Sequence, residues 1–281
     1  SKRALITGSR GQDGSYLCES LKRHDWEIYE ITRHAVFLNG EKKQPIAIND
    51  AAAIGELIRE FQPHQIYHLA AYHHSSEQTD QDTIGTLRKS LEVHVDAFLG
   101  LLEGVARHAP LCRVFFAASS HVFGNPTETP QTDKTPFNPI NPYGVSKSTG
   151  IEIGRHFRKQ HGIFVSSGIL YNHESSRRPN SFLIPSIITQ GMAVKKGTAN
   201  SITVGNLKNQ VDWGYAPEYI NAMRCILDAE SADDFIIASG HLHSVHDAVK
   251  SVMKKMRLPE TTRINEDKSR ITKTTQTVPL V

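Results

Sequence analysis

Tyr143 and Lys147 stand four residues apart in the stretch Tyr-Gly-Val-Ser-Lys, a spacing that sets a phenol and an ammonium on one face of a helix. A phenol with a pKa of about 10 is a poor base at neutral pH, but a neighbouring positive charge favours its ionised form. Tyr143 would then take the proton from an alcohol while hydride leaves the same carbon. That chemistry needs a hydride acceptor, and the chain's opening turn offers it a seat. Gly8, Gly11 and Gly14 recur every third residue between an apolar strand and the helix after it. Such a turn is tight, brings backbone within reach of a pyrophosphate and packs helix closely on strand. A glycine triplet alone also marks plain turns; the strand-turn-helix context separates the two readings. Gly8, Arg10, Gly11, Gln12, Asp13 and Gly14 are therefore expected around a nicotinamide dinucleotide.

The end of the second strand selects between dinucleotides. A carboxylate there would bind the ribose 2′-hydroxyl of NAD, whereas an arginine pairs with the 2′-phosphate of NADP. The chain has Thr32-Arg33-His34, with no acidic residue. This favours NADP over NAD, with Arg33 as the main phosphate contact and Arg10 as a second; a solvated surface arginine is the competing reading. Lys147 would also hold the nicotinamide ribose, and Ser119 stands at a strand end where its hydroxyl can hydrogen-bond the reacting oxygen. Leu69, Ala70 and Ala71 close a buried strand at the carboxyl edge of the sheet, where ligands gather, and count as cofactor contacts. Tyr72, His73 and His74 follow them and are expected to line a substrate pocket with Ser120.

Short apolar runs alternating with longer amphipathic stretches must position these groups. They predict an α/β fold, a Rossmann-type doubly wound parallel sheet with a smaller C-terminal lobe. Strands are expected at 3–7, 27–32, 46–48, 65–70, 113–118 and 163–170. Helices are expected at 15–23, 51–60 with Asp50 as N-cap, 87–108 and 143–160. Beyond Leu170 the elements shorten and glycines punctuate them. Residues 1–170 are thus expected to form the NADP-binding domain and 171–281 mainly the substrate lobe, with segments near 217–240 as candidates to return to the first domain. From Leu258 onward no period is readable.

Thirty-two basic and 29 acidic side chains leave a net charge of +3, scattered along the chain, which argues against a nucleic-acid footprint or a membrane patch. Cys18, Cys112 and Cys225 fit neither a disulfide framework nor a zinc ribbon and suit a reducing cytoplasm; Cys18 and Cys225 read as core filler. Fifteen histidines lack the Cys or carboxylate spacing of a metal site, so no metal is expected. No apolar stretch approaches the roughly 20 residues of a membrane span. With a strand at the start, no signal peptide is expected.

Glycine turn, strand-end serine and Tyr-Lys pair together resemble the extended short-chain dehydrogenase/reductase family. ITGSRGQDGSYL, IYHLAA, TPFNPINPYGVSK, GILYNHESSRRP, VGNLKNQVDWGYAPEY and DFIIASGHLHSV, in order, resemble its GDP-mannose 4,6-dehydratase branch. The resemblance implies a nucleotide-diphosphate-sugar substrate, C4 oxidation, loss of water from C6, and a homodimer or tetramer. It offers Asn172, Arg177 and Arg178 as substrate or cofactor contacts; His173 and Glu174 read either as active-site groups or as ties at the crossover. The branch carries a glutamate two residues past the strand-end hydroxyl, where this chain has His121. With a pKa of about 6.5, histidine exchanges protons at neutral pH. Dehydration, epimerisation and simple C4 redox all stay open at that point, beside a catalytically lapsed NADP-binding protein. The branch's basic residue before Asp-Trp-Gly is Val211 here, its lysine after the Asn-His-Glu-Ser stretch is Ser186, and its adenine-contacting aspartate is Ala47. The branch also continues into a further segment, so the native chain is expected to run past Val281.

Overall fold

The computed structural model describes residues 1–72 and 82–267. The first strand, β1 (Arg3–Thr7), buries Ala4, Leu5 and Ile6 completely, which requires cover on both of its faces. It runs through the glycine turn into α1 (Gln12–Lys22) and returns as β2 (Glu27–Ile31). A hairpin follows, β3 (Val36–Leu38) and β4 (Glu41–Lys43), and then α2 (Ala51–Phe61), capped by the Asp50 carboxylate accepting from the Ala53 amide. Next comes β5 (Gln65–His68). A long helix then runs as α3 (Thr83–Leu91), a π turn (Glu92–Asp96) and α4 (Ala97–His108). After β6 (Arg113–Ser119), Asn141 caps α5 (Pro142–His161), which leads to β7 (Val165–Leu170).

Beyond β7 the chain forms β8 (Asn172–Glu174), α6 (Leu183–Lys195), β9 (Ser201–Val204) and β10 (Gln210–Tyr215). It continues through α7 (Ala216–Asp228), β11 (Asp234–Ile237), β12 (Leu242–Ser244), α8 (Val245–Met256) and β13 (Arg263–Glu266). The large sheet has the order β11-β7-β6-β5-β1-β2-β3-β4, parallel from β11 to β2, with the hairpin antiparallel at its edge. Alternation along β1 divides the core. Ala4 and Ile6 pack with Leu17, Leu21, Tyr219 and Met223 of α1 and α7, whereas Leu5 joins Ile54, Phe98 and Ile151 of α2, α4 and α5. The sheet is therefore doubly wound, as the βα alternation predicts. β8, β10 and β12 make a second sheet, and β9 pairs β13 beside α6 and α8 around Ile187, Ile202 and Val249.

Some expectations need correction. Residues 46–48 form no strand; the sheet edge is the hairpin around Asn39 and Gly40, both at positive φ (50° and 89°), which suits the right-handed twist of its strands. α1 starts at Gln12, three residues early, because the turn's amides lead straight into the helix. The helix expected at 87–108 begins at Thr83 and is interrupted by the π turn. β13 lies in the tail that showed no period, paired with β9. Cys225 is exposed on α7 and fills no core. Among the described residues no helix is long and apolar enough to cross a membrane.

Candidate active site

The chain leaves β1 toward β2 on one side and reaches β5 on the other, and at such a divergence a crevice opens beyond the carboxyl ends of the strands. There lies a cavity of about 1080 Å³, bordered by the glycine turn, the ends of β5, β6 and β7, and the start of α5. Gly8 adopts φ of 72°, and a Cβ on it would fall 2.7 Å from the Ala70 amide nitrogen. A Cβ on Gly14 would stand 2.6 Å from Ser9 Cα and run into the Gly8 carbonyl. Both positions need glycine so that turn, helix and β5 loop can touch. Gly11 is the N-cap of α1 and supplies no capping side chain, which leaves first-turn amides for an anion. The Ser9 hydroxyl of this turn is buried without a hydrogen-bond partner. These features fit a dinucleotide pyrophosphate. Arg10 lies over the Phe37 ring (4.9 Å), so the hairpin props up one of the two expected cations. Arg33 also borders the cavity, as do Leu69, Ala70 and Ala71.

At the other end Tyr143 and Lys147, one turn apart on α5, both reach the cavity. Lys147 is buried and donates to the Ala117 carbonyl of β6 at 2.7 Å, with its Nζ 5.5 Å from the Tyr143 ring centre. Burial pulls the ammonium down to about 7. Burial also pushes the Tyr143 phenol up to about 12, with the Arg178 charge opposing it. Burial thus disfavours the charged form of both groups, and a positive charge brought beside the phenol would favour its ionisation. Ser119 ends β6, and its hydroxyl oxygen accepts the His121 amide at 3.3 Å, leaving its proton for a ligand. His121 stands edge-on to Tyr143, ring centres 5.7 Å apart, and its Nδ1 meets the Asn141 amide at 3.0 Å. Burial lowers its pKa.

Two further histidines brace this region and were not singled out from sequence. The His68 Nε2 meets the Val93 carbonyl at 3.0 Å, so it carries the proton, and Nδ1 accepts from the Thr7 hydroxyl at 2.8 Å. Burial, reinforced by the Lys147 charge, drives His68 down to about 3. His94, in the π turn, accepts the Tyr72 amide on Nε2 (3.0 Å) and therefore donates from Nδ1 to Ser146 Oγ (2.8 Å). Ser146 donates in turn to the Tyr143 carbonyl at 2.9 Å. The His94 ring stands edge-on to the Tyr143 ring at 5.3 Å. The π turn thereby ties the β5 loop to the helix that carries the phenol. Its signal in sequence was only a histidine on the buried side of a helix. Lys89, Glu92 and Asn49, which also border the cavity, gave no signal at all.

His173 of β8 connects the lobe to the glycine turn. Its Nδ1 donates to the Tyr171 carbonyl (2.8 Å), and its Nε2 meets both Asp13 oxygens at 3.0 and 2.9 Å. Gln12 donates to the His173 carbonyl at 3.1 Å. Burial would lower the imidazole and raise the carboxyl, but the opposite charges win: His173 lies above its ordinary value and Asp13 below. The Asp13 contribution is complete above its unfolded pKa of 3.8 and falls away at lower pH. The His173 contribution is complete below its unfolded 6.5 and is lost as pH rises through the higher folded value. We therefore expect the coupling in an Asp13→Asn/His173→Asn double-mutant cycle, measured by thermal unfolding, to be largest between those limits and smaller on the alkaline side.

Asn172 and Arg178 border the cavity, with Arg178 stacked 3.8 Å over Phe182. Two of the expected residues do not line the cavity. Ser120 is buried and does not border the cavity. Arg177 lies over the Tyr16 ring (3.8 Å) and binds Ser15 and Glu19, bracing the β8 loop against α1. Neighbours in sequence point different ways here, so only one of the arginine pair reaches the ligand space. His73 and His74 lie outside the described residues.

Solved structures share this architecture. dTDP-glucose 4,6-dehydratase from Bacillus anthracis, in complex with NAD, superposes with a TM-score of 0.78 at 17% identity, over 95% of this chain and 85% of that one. RMD from Pseudomonas aeruginosa, complexed with NADPH, gives 0.79 at 21% identity, over 96% and 91%. Fold and site thus define an extended short-chain dehydrogenase/reductase architecture. Sequence carries the assignment further. The family model of GDP-mannose 4,6-dehydratase matches residues 5–280. GDP-mannose 4,6-dehydratase of Drosophila melanogaster is 32% identical over 277 residues, 90% of this chain and 68% of the fly protein. The Homo sapiens enzyme of the same name is 33% identical over 271 residues, 88% of this chain and 70% of its own length. The chain belongs to the GDP-mannose 4,6-dehydratase family, as its motifs imply.

Proposed function

We propose that this protein is a nicotinamide-dependent nucleotide-sugar dehydratase that begins by oxidising C4 of the hexose. The convergence of Ser119, Tyr143 and Lys147 on one cavity with the glycine turn carries the reading. The bound dinucleotide would accept hydride from C4 and later return it. Tyr143 takes the hydroxyl proton, Ser119 donates to the same oxygen, and Lys147 holds the ribose beside it. Lys147 is anchored on the Ala117 carbonyl, which keeps its Nζ beside the phenol as proton and hydride part. Arg178, half-buried against the Phe182 ring and bordering the cavity, suits a phosphate. A ketone at C4 acidifies the C5 proton, which opens the way to loss of water from C6. Family membership favours this outcome over epimerisation or plain C4 redox.

The test is incubation of the pure protein with GDP-, UDP-, CDP- and dTDP-hexoses. A 4-keto-6-deoxy product is expected. An isomer with solvent deuterium at carbon would instead establish an epimerase, and tight dinucleotide binding without any turnover would defeat both. NADP is the proposed dinucleotide, on the strength of Arg33 at the end of β2 and Arg10 across from it. A charge-assisted hydrogen bond is worth about 1.5–3 kcal/mol. Arg33→Ala should accordingly weaken NADP binding by about 10–100-fold and leave NAD binding nearly unchanged, measured by titration calorimetry. An equal loss for both would remove Arg33 from the phosphate site.

A further inference from the structure

His121 occupies the place of a glutamate and was read above as a proton-transfer group. Its surroundings favour a different task. The Asn141 side chain is held by its cap: Oδ1 accepts the Gly144 amide at 2.8 Å, and a backbone amide can only donate. This fixes which end of the side-chain amide is which. Nδ2 therefore faces His121 Nδ1 at 3.0 Å, and an amide NH2 has no lone pair to offer. Nδ1 must supply the lone pair. In the neutral ring the proton then sits on Nε2, the nitrogen left for the cavity that His121 borders.

Two consequences follow. A group that shows its N–H to the ligand cannot abstract a proton from it. Adding a second proton at Nδ1 would set two donors against each other, and Asn141 cannot turn to relieve them without uncapping α5. Among the described residues, Ser119 and Asn141 beside the ring are uncharged, and the titratable group in contact with it is the Tyr143 phenol, edge-on at 5.7 Å. Burial acts in the same direction, keeping the ring neutral.

We infer that His121 acts as a hydrogen-bond donor through Nε2 onto the substrate oxygen where negative charge develops, and that Asn141 is the positioning residue that holds this tautomer. No proton is transferred to or from His121. The donor strengthens the oxyanion site beside Tyr143. This rests on the nucleotide-sugar reading for its substrate, but the tautomer is tested without substrate.

Protein labelled with nitrogen-15 in the histidine rings gives the direct measurement, with His121→Gln identifying the signal. At neutral pH His121 should show an unprotonated Nδ1 and a protonated Nε2. Asn141→Asp keeps the cap through a carboxylate and offers Nδ1 an acceptor, so the proton should move to Nδ1. A wild-type ring protonated at Nδ1, alone or together with Nε2, overturns the inference, as does an Asn141→Asp ring unchanged from wild type. Turnover supplies a second arm. Glutamine keeps an N–H donor but cannot cycle a proton, so His121→Gln should stay within about tenfold of wild type, while His121→Ala loses about 10²–10³-fold in kcat, the usual cost of one oxyanion donor. The acid limb of the pH–rate profile should be the same in wild type and His121→Gln. Equal loss in both variants, or a limb that disappears with glutamine, identifies a base and overturns the assignment. If no sugar is turned over, the proposed function fails while the nitrogen spectra still decide the tautomer.

Discussion

Tyr143→Phe should yield a folded protein that binds dinucleotide and nucleotide sugar normally but turns over about 10²–10⁴-fold more slowly, the range that a positioned acid–base group contributes. The phenyl ring retains the packing that seats it: His94 and His121 edge-on at 5.3 and 5.7 Å, and the Lys147 Nζ at 5.5 Å. Its backbone carbonyl still accepts from Ser146. The oxygen is thus the only atom lost, and the loss should appear in kcat with little change in KM. Burial holds the phenol at about 12, so the oxygen is a poor base until a positive charge is brought beside it. For the same reason, rapid-quench measurement of the first C4 oxidation should show as large a defect as steady-state turnover. A variant that retained wild-type rates would remove Tyr143 from the chemistry and leave the cavity as a binding site.

What sequence made visible, and what it hid, follows from how local each signal is. The glycine spacing, the Tyr-Lys spacing and the buried strands are short-range patterns, each set by geometry within one turn or one strand, and the structure gathers them at one cavity. The hairpin was also local: Asn39-Gly40 is the dipeptide that such turns prefer, but its three-residue strands are too short to show alternation. Ile46 to Ile48 looked like a strand because the residues are apolar; in the fold they border the cavity as irregular chain. Long-range pairings left no trace. His94 matters through Tyr72 and Ser146, 22 and 52 residues away, and His173 through Asp13, 160 residues away. Arg177 and Arg178 differ in direction, which depends on how the loop after β8 meets α1. The same limit hid the role of His121, since the tautomer depends on Asn141, 20 residues on, and on the cap that Asn141 makes.

The second large effect is expected at Gly14, where the added methyl group of Gly14→Ala has nowhere to go. Its Cβ would stand 2.6 Å from Ser9 Cα and against the Gly8 carbonyl, and both obstacles are backbone, so no side chain can swing aside. The helix start must lift from the turn. Gly8 cannot absorb the movement, because its own backbone packs on Ala70 and its φ of 72° is already one that side chains rarely adopt. Forcing atoms into a closely packed site costs about 1–3 kcal/mol, which for a chain of this size lowers Tm by about 2–4 °C per kcal/mol. The cost to binding should be larger than the cost to folding. The first-turn amides of α1 are uncapped by any side chain and suit an anion, so moving them spoils the ligand contact first. Calorimetric titration with dinucleotide should show at least a tenfold weaker Kd, equivalent to about 1.4 kcal/mol, alongside a modest drop in Tm. Gly55, buried in α2, has nothing within 4 Å of its built Cβ, and Gly55→Ala should change neither quantity for the worse. If Gly14→Ala bound dinucleotide as well as Gly55→Ala does, the turn would be structural only, and the hydride acceptor would have to be seated elsewhere.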